Sequence, residues 1–171
     1  ASTSKEVISS AVYVENWQLA HTETDYLAAD DARSPVQHYW SLSVEEQFYI
    51  IWPLLIGLAV IIAKKKRFSA NKAVGSVLGA VFILSLAYSV YLTYTNQSAA
   101  YFVTPTRMWE LALGGIVALM MLAGILVRSE IARLAGAWIG LIIIATTAVY
   151  FTETIAFPGY VALLPTVGAA L

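Results

Sequence analysis

Four stretches of the chain, residues 47–63, 73–94, 108–127 and 134–151, are almost continuously apolar, and Glu110 is the one charge inside any of them. A helix rises about 1.5 Å per residue and the hydrocarbon core of a bilayer is roughly 30 Å thick, so about 20 apolar residues make a span. A charge at the centre of such a span costs about 2.5 to 3.5 kcal/mol on insertion, which explains why these runs are kept clear of Lys, Arg and Asp. A fifth stretch, 7–20, carries Glu15 and reads as a truncated or interfacial helix. With their polar ends added, the predicted helices lie at about 7–20, 44–63, 73–94, 107–127 and 131–151, with another starting near 161–171. The expected fold class is all-α, a polytopic transmembrane helix bundle. Pro53 should remove one backbone hydrogen bond and kink its span, and Gly114 and Gly115, next to Ala118, should permit close helix contact.

The polar intervals give these spans a direction. Lys64, Lys65, Lys66, Arg67 and Lys72 separate the first two full spans, and Arg128 and Arg133 separate the last two. The positive-inside rule assigns both short loops to the cytoplasm. Residues 21–43, 95–106 and 152–165 then fall outside, and the first of these is acidic, with Glu23, Asp25, Asp30 and Asp31 against Arg33. Tyr26, Tyr39, Trp40, Trp52, Tyr94, Tyr101, Trp109 and Tyr160 lie near span ends on that side, where aromatic rings serve as headgroup anchors.

Composition narrows the function classes. The chain has 171 residues, 59% hydrophobic and 12% charged, against roughly 25% charged in soluble domains. Its mean hydropathy is +0.70. A net charge of −1, with the cations scattered or clustered in one short loop, argues against nucleic acid as a partner, which requires a concentrated basic surface. The absence of cysteine excludes disulfides, thiolate metal sites and cysteine nucleophiles. Without an initiator Met or a signal pattern, and stopping within an apolar stretch, the chain reads as an interior piece of something longer, inactive alone.

The densest polar chemistry sits at the mouths of two spans. In "HYWSLSVEEQFY", Ser43 and Glu46 have capping-box spacing, in which Ser bonds the N3 amide and Glu returns to the N-cap amide. Glu45 shares a helical face with Tyr49 and Trp52, and a carboxylate at that depth is a functional candidate or else a snorkelling surface acid. His38 has the imidazole suited to general-base work near neutrality, and the alternative is a plain surface residue. His21 has no comparable company. In "TPTRMWELALGG", Pro105 and a Thr106 cap precede Arg107 and Glu110 at i and i+3. These two either pair to fix the helix end, or Arg107 meets an anionic or polar acyl-transfer group while Glu110 holds its geometry. No metal site is expected, since the histidines lack ligand spacing and the acidic loop lacks the EF-hand glycine. Neither GxSxG, a P-loop nor GxGxxG occurs.

"DYLAADDARSPVQHYWSLSVEEQFYIIWPLL", then "TPTRMWELALGG" and "FPGYVALLPTVGAAL", in that order, closely resemble membrane acyltransferase family 3, bacterial integral-membrane O-acyltransferases. The resemblance implies a bundle of about ten helices in the bacterial inner membrane. It implies transfer of an acyl group, usually acetyl, from cytoplasmic acyl-CoA to a hydroxyl of an extracytoplasmic glycan or lipid-linked saccharide. Acyl-CoA is then a donor substrate, not a resident cofactor, and the lipid bilayer is the remaining partner. On the family motifs, His38, Glu45, Glu46, Arg107 and Glu110 are the catalytic candidates, and Trp40, Ser41, Ser43, Tyr49 and Trp109 the substrate-binding ones. The family's early Arg and catalytic His have no counterpart in this stretch, so part of the active site is expected to lie elsewhere. Two rival readings are a transporter or flippase whose acid and Arg line a path, and a non-catalytic membrane scaffold.

Overall fold

The computed structural model describes residues 2–26, 38–125, 129–152 and 155–171. Asp30, Asp31, Arg33 and Arg128 lie outside the described residues, as do the side chains of Glu23, Asp25 and Tyr26. The described chain is helical: α1 (Ser2–Ala11), α2 (Glu15–Tyr26), α3 (Tyr39–Lys65), α4 (Ala70–Thr95), α5 (Gln97–Phe102), α6 (Met108–Leu122), α7 (Glu130–Tyr150) and α8 (Leu163–Ala170). Tight 3₁₀ turns at Thr104–Thr106 and Tyr160–Ala162 lead into α6 and α8.

Three of these helices, α3, α4 and α7, are long and apolar enough to cross a membrane. The fourth predicted span is shorter than its apolar pattern suggests. Helix α6 ends at Leu122 because the chain makes a Schellman turn there, with Gly124 at φ 67. The amides of Gly124 and Ile125 return to the Met121 and Met120 carbonyls, both at 3.0 Å, the pairing that defines this cap.

The same turn occurs twice more with residues that give no sequence signal. Tyr13 adopts φ 57 after α1, and Val14 N–H bonds Ser9 O at 2.9 Å. Arg67 adopts φ 56 after α3, and Phe68 N–H bonds Ala63 O at 2.9 Å. The Tyr13 turn splits the predicted 7–20 helix into α1 and α2. At its other end α3 begins with Tyr39, five residues before the predicted start, and it continues through Pro53.

Helix α4 is the centre of the fold and packs on α3, α5 and α6, while α2 packs on α3 and α5. Helix α7 leans chiefly on α8. A Cβ on Gly115 would sit 3.0 Å from Leu78 Cδ1, whereas Gly114 faces open space, so only the second glycine serves the expected close contact. The tighter approach is between α7 and α8, where a Cβ on Gly140 would overlap the Gly168 carbonyl.

Candidate functional site

The site is built on the turn that launches α6. Pro105 fixes the backbone of this turn, and the buried Thr106 hydroxyl donates to the Ala100 and Val103 carbonyls, each at 2.7 Å. Thr106 therefore ties the turn back to α5 and is not the cap of α6; that position belongs to Arg107, which makes no side-chain cap bond. Ser85 of α4 holds the turn from the other side. Its hydroxyl donates to Pro105 O at 2.5 Å and accepts the Trp109 N–H at 2.9 Å.

Arg107 projects from this fixed turn into an aromatic basket. Its guanidinium carbon lies 5.1 Å from the ring centre of Tyr101, 5.4 Å from Trp40 and 6.0 Å from Phe157. The Nε–H donates to Tyr101 O at 3.2 Å, and Nη1 is 3.9 Å from Glu110 Oε1. Cation–π contacts of this kind contribute about 0.5 to 1 kcal/mol when exposed and about 2 when desolvated. The Glu110 contact is too long for a hydrogen bond, so it orients Arg107 by charge and leaves hydrogen-bonding capacity on both groups.

Beneath the basket lies a polar knot joining α2 and α3 to α5 and the turn that follows it. Asn16 of α2 is fully buried and donates from Nδ2 to Phe102 O at 3.2 Å and to Thr104 Oγ1 at 3.0 Å. Gln47 of α3 donates to Asn16 Oδ1 at 2.9 Å and to Tyr13 O at 2.8 Å. Its own Oε1 accepts from Thr104 Oγ1 at 2.5 Å and from Trp17 Nε1 at 3.2 Å. Buried amides demand such partners, since an unmade bond leaves its desolvation uncompensated. The knot locks the turn carrying Arg107 to the first turns of α3.

The remaining predicted residues are placed unevenly. Trp40 is half-buried against Leu19, Ala20, Phe102 and Val103, edge-on to Phe102 at 5.3 Å, and it meets Arg107. Trp109 is 0% exposed and edge-on to Phe82 at 6.0 Å, so it is a core residue and not a headgroup anchor. Ser43 lies inside α3 with its hydroxyl on Tyr39 O at 3.0 Å. The expected capping box is therefore absent: His38 occupies the N-cap position, and it too makes no side-chain cap bond. Ser41 bonds His38 O at 3.3 Å.

His38, Glu45 and Tyr49 are exposed, Glu46 is half-buried, and the His38 ring stands 5.2 Å from that of Tyr39. Among the described residues, no hydrogen bond or ion pair joins His38, Glu45 or Glu46 to Arg107 or Glu110. The structure thus brings together Trp40, Arg107 and Glu110, and leaves His38 and Glu45 exposed and Glu46 half-buried outside that group. Asn16, Thr104 and Ser85 were not singled out from sequence. A signal for Ser85 existed in the i, i+4, i+8 row of Ser85, Ser89 and Thr93 within an otherwise apolar span, all three of them buried.

Among curated proteins the chain is 33% identical over 115 residues to YrhL of Bacillus subtilis (strain 168), whose name assigns it provisionally as a peptidoglycan O-acetyltransferase. It is 32% identical over 117 residues to a provisionally assigned O-acetyltransferase of Staphylococcus aureus (strain COL). The alignments cover 67% of this chain and 18% of each relative. It is also 32% identical over 110 residues, 64% of this chain and 17% of the relative, to the peptidoglycan O-acetyltransferase OatA of Listeria monocytogenes (serovar 1/2a, strain EGD-e). No family model matches the chain, and no solved structure matches it. The chain thus spans under a fifth of the length of these relatives. Its homology to them, added to the His38–Tyr49 and Arg107–Glu110 motifs, places the chain in membrane acyltransferase family 3.

Proposed function

We propose that the intact protein transfers an acetyl group from cytoplasmic acetyl-CoA to a hydroxyl of an extracytoplasmic glycan, peptidoglycan being the acceptor that the names of YrhL and OatA point to. The observation that carries this reading is the caged Arg107, an oriented guanidinium at a span mouth with Glu110 beside it, in a chain homologous to O-acetyltransferases. In the reaction a base takes the acceptor's hydroxyl proton, the oxygen attacks the thioester carbonyl, the C–S bond breaks, and the thiolate leaves and is protonated. Arg107 is suited to steady the carbonyl oxygen as it gains charge. Glu110 acts as its positioning residue. In this reading the exposed His38 and Glu45 and the half-buried Glu46 meet the acceptor from the outer side, with Trp40 forming the shared wall.

The test is transfer of labelled acetyl from acetyl-CoA to peptidoglycan by membranes holding the intact protein. Arg107→Lys keeps the charge and loses the planar fork and its stacking, so acetylation should fall at least tenfold at unchanged membrane abundance. Full transfer by this variant would remove Arg107 from the chemistry. Movement of unmodified substrate without label in the glycan would favour transport instead.

A further inference from the structure

Between α3, α4 and α6, running along α6 from Leu111, one turn beyond Arg107, to Leu122 at its far end, lies an open groove of about 320 Å³. It is lined by Trp52 and Ile56 of α3, Val74 and Leu78 of α4, and α6 residues from Leu111 through Ala118 to Leu122. Every lining side chain is apolar except for the Trp52 indole N–H, which is buried and has no hydrogen-bond partner. Along α6 the lining extends roughly 16 Å at the helical rise, close to half the thickness of the hydrocarbon core. That is the depth one leaflet's acyl chain occupies.

At its Val74 end the groove adjoins a basic connection, although no cation lines it. Val74 lies two residues beyond Lys72, and Lys64, Lys65, Lys66 and Arg67 precede it in the same connection, with no acid among residues 64–72. None of these five cations forms an ion pair among the described residues. Helix α4 also starts here, and its N-cap Ser69 makes no side-chain cap bond, so its first amides and its dipole favour an anion. A thioester donor's amide-rich arm would leave its polar groups unmet in so apolar a channel, whereas a hydrocarbon chain loses nothing there.

We propose that this groove is a retention site for an anionic glycerophospholipid of the leaflet on the basic side, one acyl chain lying between α3, α4 and α6 and the phosphate meeting the Lys64–Lys72 connection. The inference is independent of the acyl-transfer reading. Ala118 is the residue to change, because it lines the groove from an exposed position, so a larger side chain fills the channel without entering the core.

The experiment is native mass spectrometry of the intact protein from detergent, after equal loading with phosphatidylglycerol and phosphatidylcholine of identical chains. The wild type should retain phosphatidylglycerol at least threefold over phosphatidylcholine. Ala118→Trp should abolish the retained adduct, with Ala118→Leu intermediate should the larger variant fold poorly. Replacing Lys64, Lys65, Lys66 and Lys72 together by Gln should equalise the two lipids. Equal retention of both by the wild type overturns the proposal, as does retention unchanged by groove filling. A lowered melting temperature in Ala118→Leu with unchanged lipid retention overturns it too, and assigns the groove to another helix of the protein.

Discussion

The two motif-bearing span mouths are built on opposite principles. At the start of α6, Arg107 is held by Ser85 and Thr106 below its turn, by Trp40, Tyr101 and Phe157 around its guanidinium, and by Glu110 one turn on. At the start of α3, His38, Glu45 and Tyr49 share an exposed face, and Tyr49 keeps 67% of its surface open. A group that must present fixed charge to a reacting atom benefits from preorganisation, because no reorganisation is then needed during reaction. A group that greets an incoming acceptor can remain open until the acceptor arrives. The contrast assigns rigidity to the α6 mouth and accessibility to the α3 mouth, and each can be challenged separately.

The largest expected effect concerns the rigid side. Trp109 is fully buried and packs on Phe82, while its backbone N–H, which any residue there would keep, is held by Ser85. Trp109→Ala should lower stability by about 3 to 5 kcal/mol, the usual cost of emptying a buried aromatic site. Tyr49→Ala, with its mostly open ring, should stay within about 0.5 kcal/mol. Reversible unfolding of the intact protein in detergent or bicelles measures both. Similar losses for the two residues would erase the distinction between the mouths.

The next effect probes how the knot supports Arg107. Interhelical hydrogen bonds between membrane helices average about 0.6 kcal/mol and reach about 1.7. The pair Gln47→Leu and Thr104→Val, made singly and together, should therefore show a coupling of about 0.6 to 1.7 kcal/mol in a double-mutant cycle, at the upper end because Asn16 connects to both. Both single variants should also reduce acetylation more than they reduce abundance, since Thr104 belongs to the turn that aims Arg107. Zero coupling would mean the turn holds its shape without α3.

Much of this was legible in the sequence because membrane burial writes a loud pattern. The runs that became α3, α4 and α7 were plain from their length and freedom from charge. Arg107 and Glu110 could be paired from i, i+3 spacing alone. Helix ends were harder. Tyr13 and Arg67 take left-handed conformations that glycine would have announced, so the break between α1 and α2 carried no local mark. The Ser43–Glu46 capping box misled for a different reason: the spacing is local, whereas packing of Trp40 against Leu19 and Phe102 lets the helix begin at Tyr39. Asn16 and Thr104 lie 88 residues apart in the knot, and no single-segment pattern encodes such a pairing. The tight Gly140–Gly168 crossing escaped for the same reason, while the adjacent glycines 114 and 115 looked equivalent in sequence but face different surroundings.

The smallest stability effect is the sharpest test of the open side. Glu45 is exposed and His38 sits at the uncapped start of α3, and neither joins the network around Arg107. Glu45→Gln and His38→Ala should each change stability by less than about 0.5 kcal/mol, the range of surface substitutions away from special features. If these residues receive the acceptor, acetylation should nonetheless fall, and the fall should reside in KM for the glycan more than in kcat, because contacts made equally to substrate and transition state alter binding alone. Arg107→Lys should do the reverse and depress kcat. A loss of kcat in His38→Ala as deep as that of Arg107→Lys would make the imidazole a participant in the chemistry. The division into a rigid reacting mouth and an open receiving mouth would then fail at the α3 end.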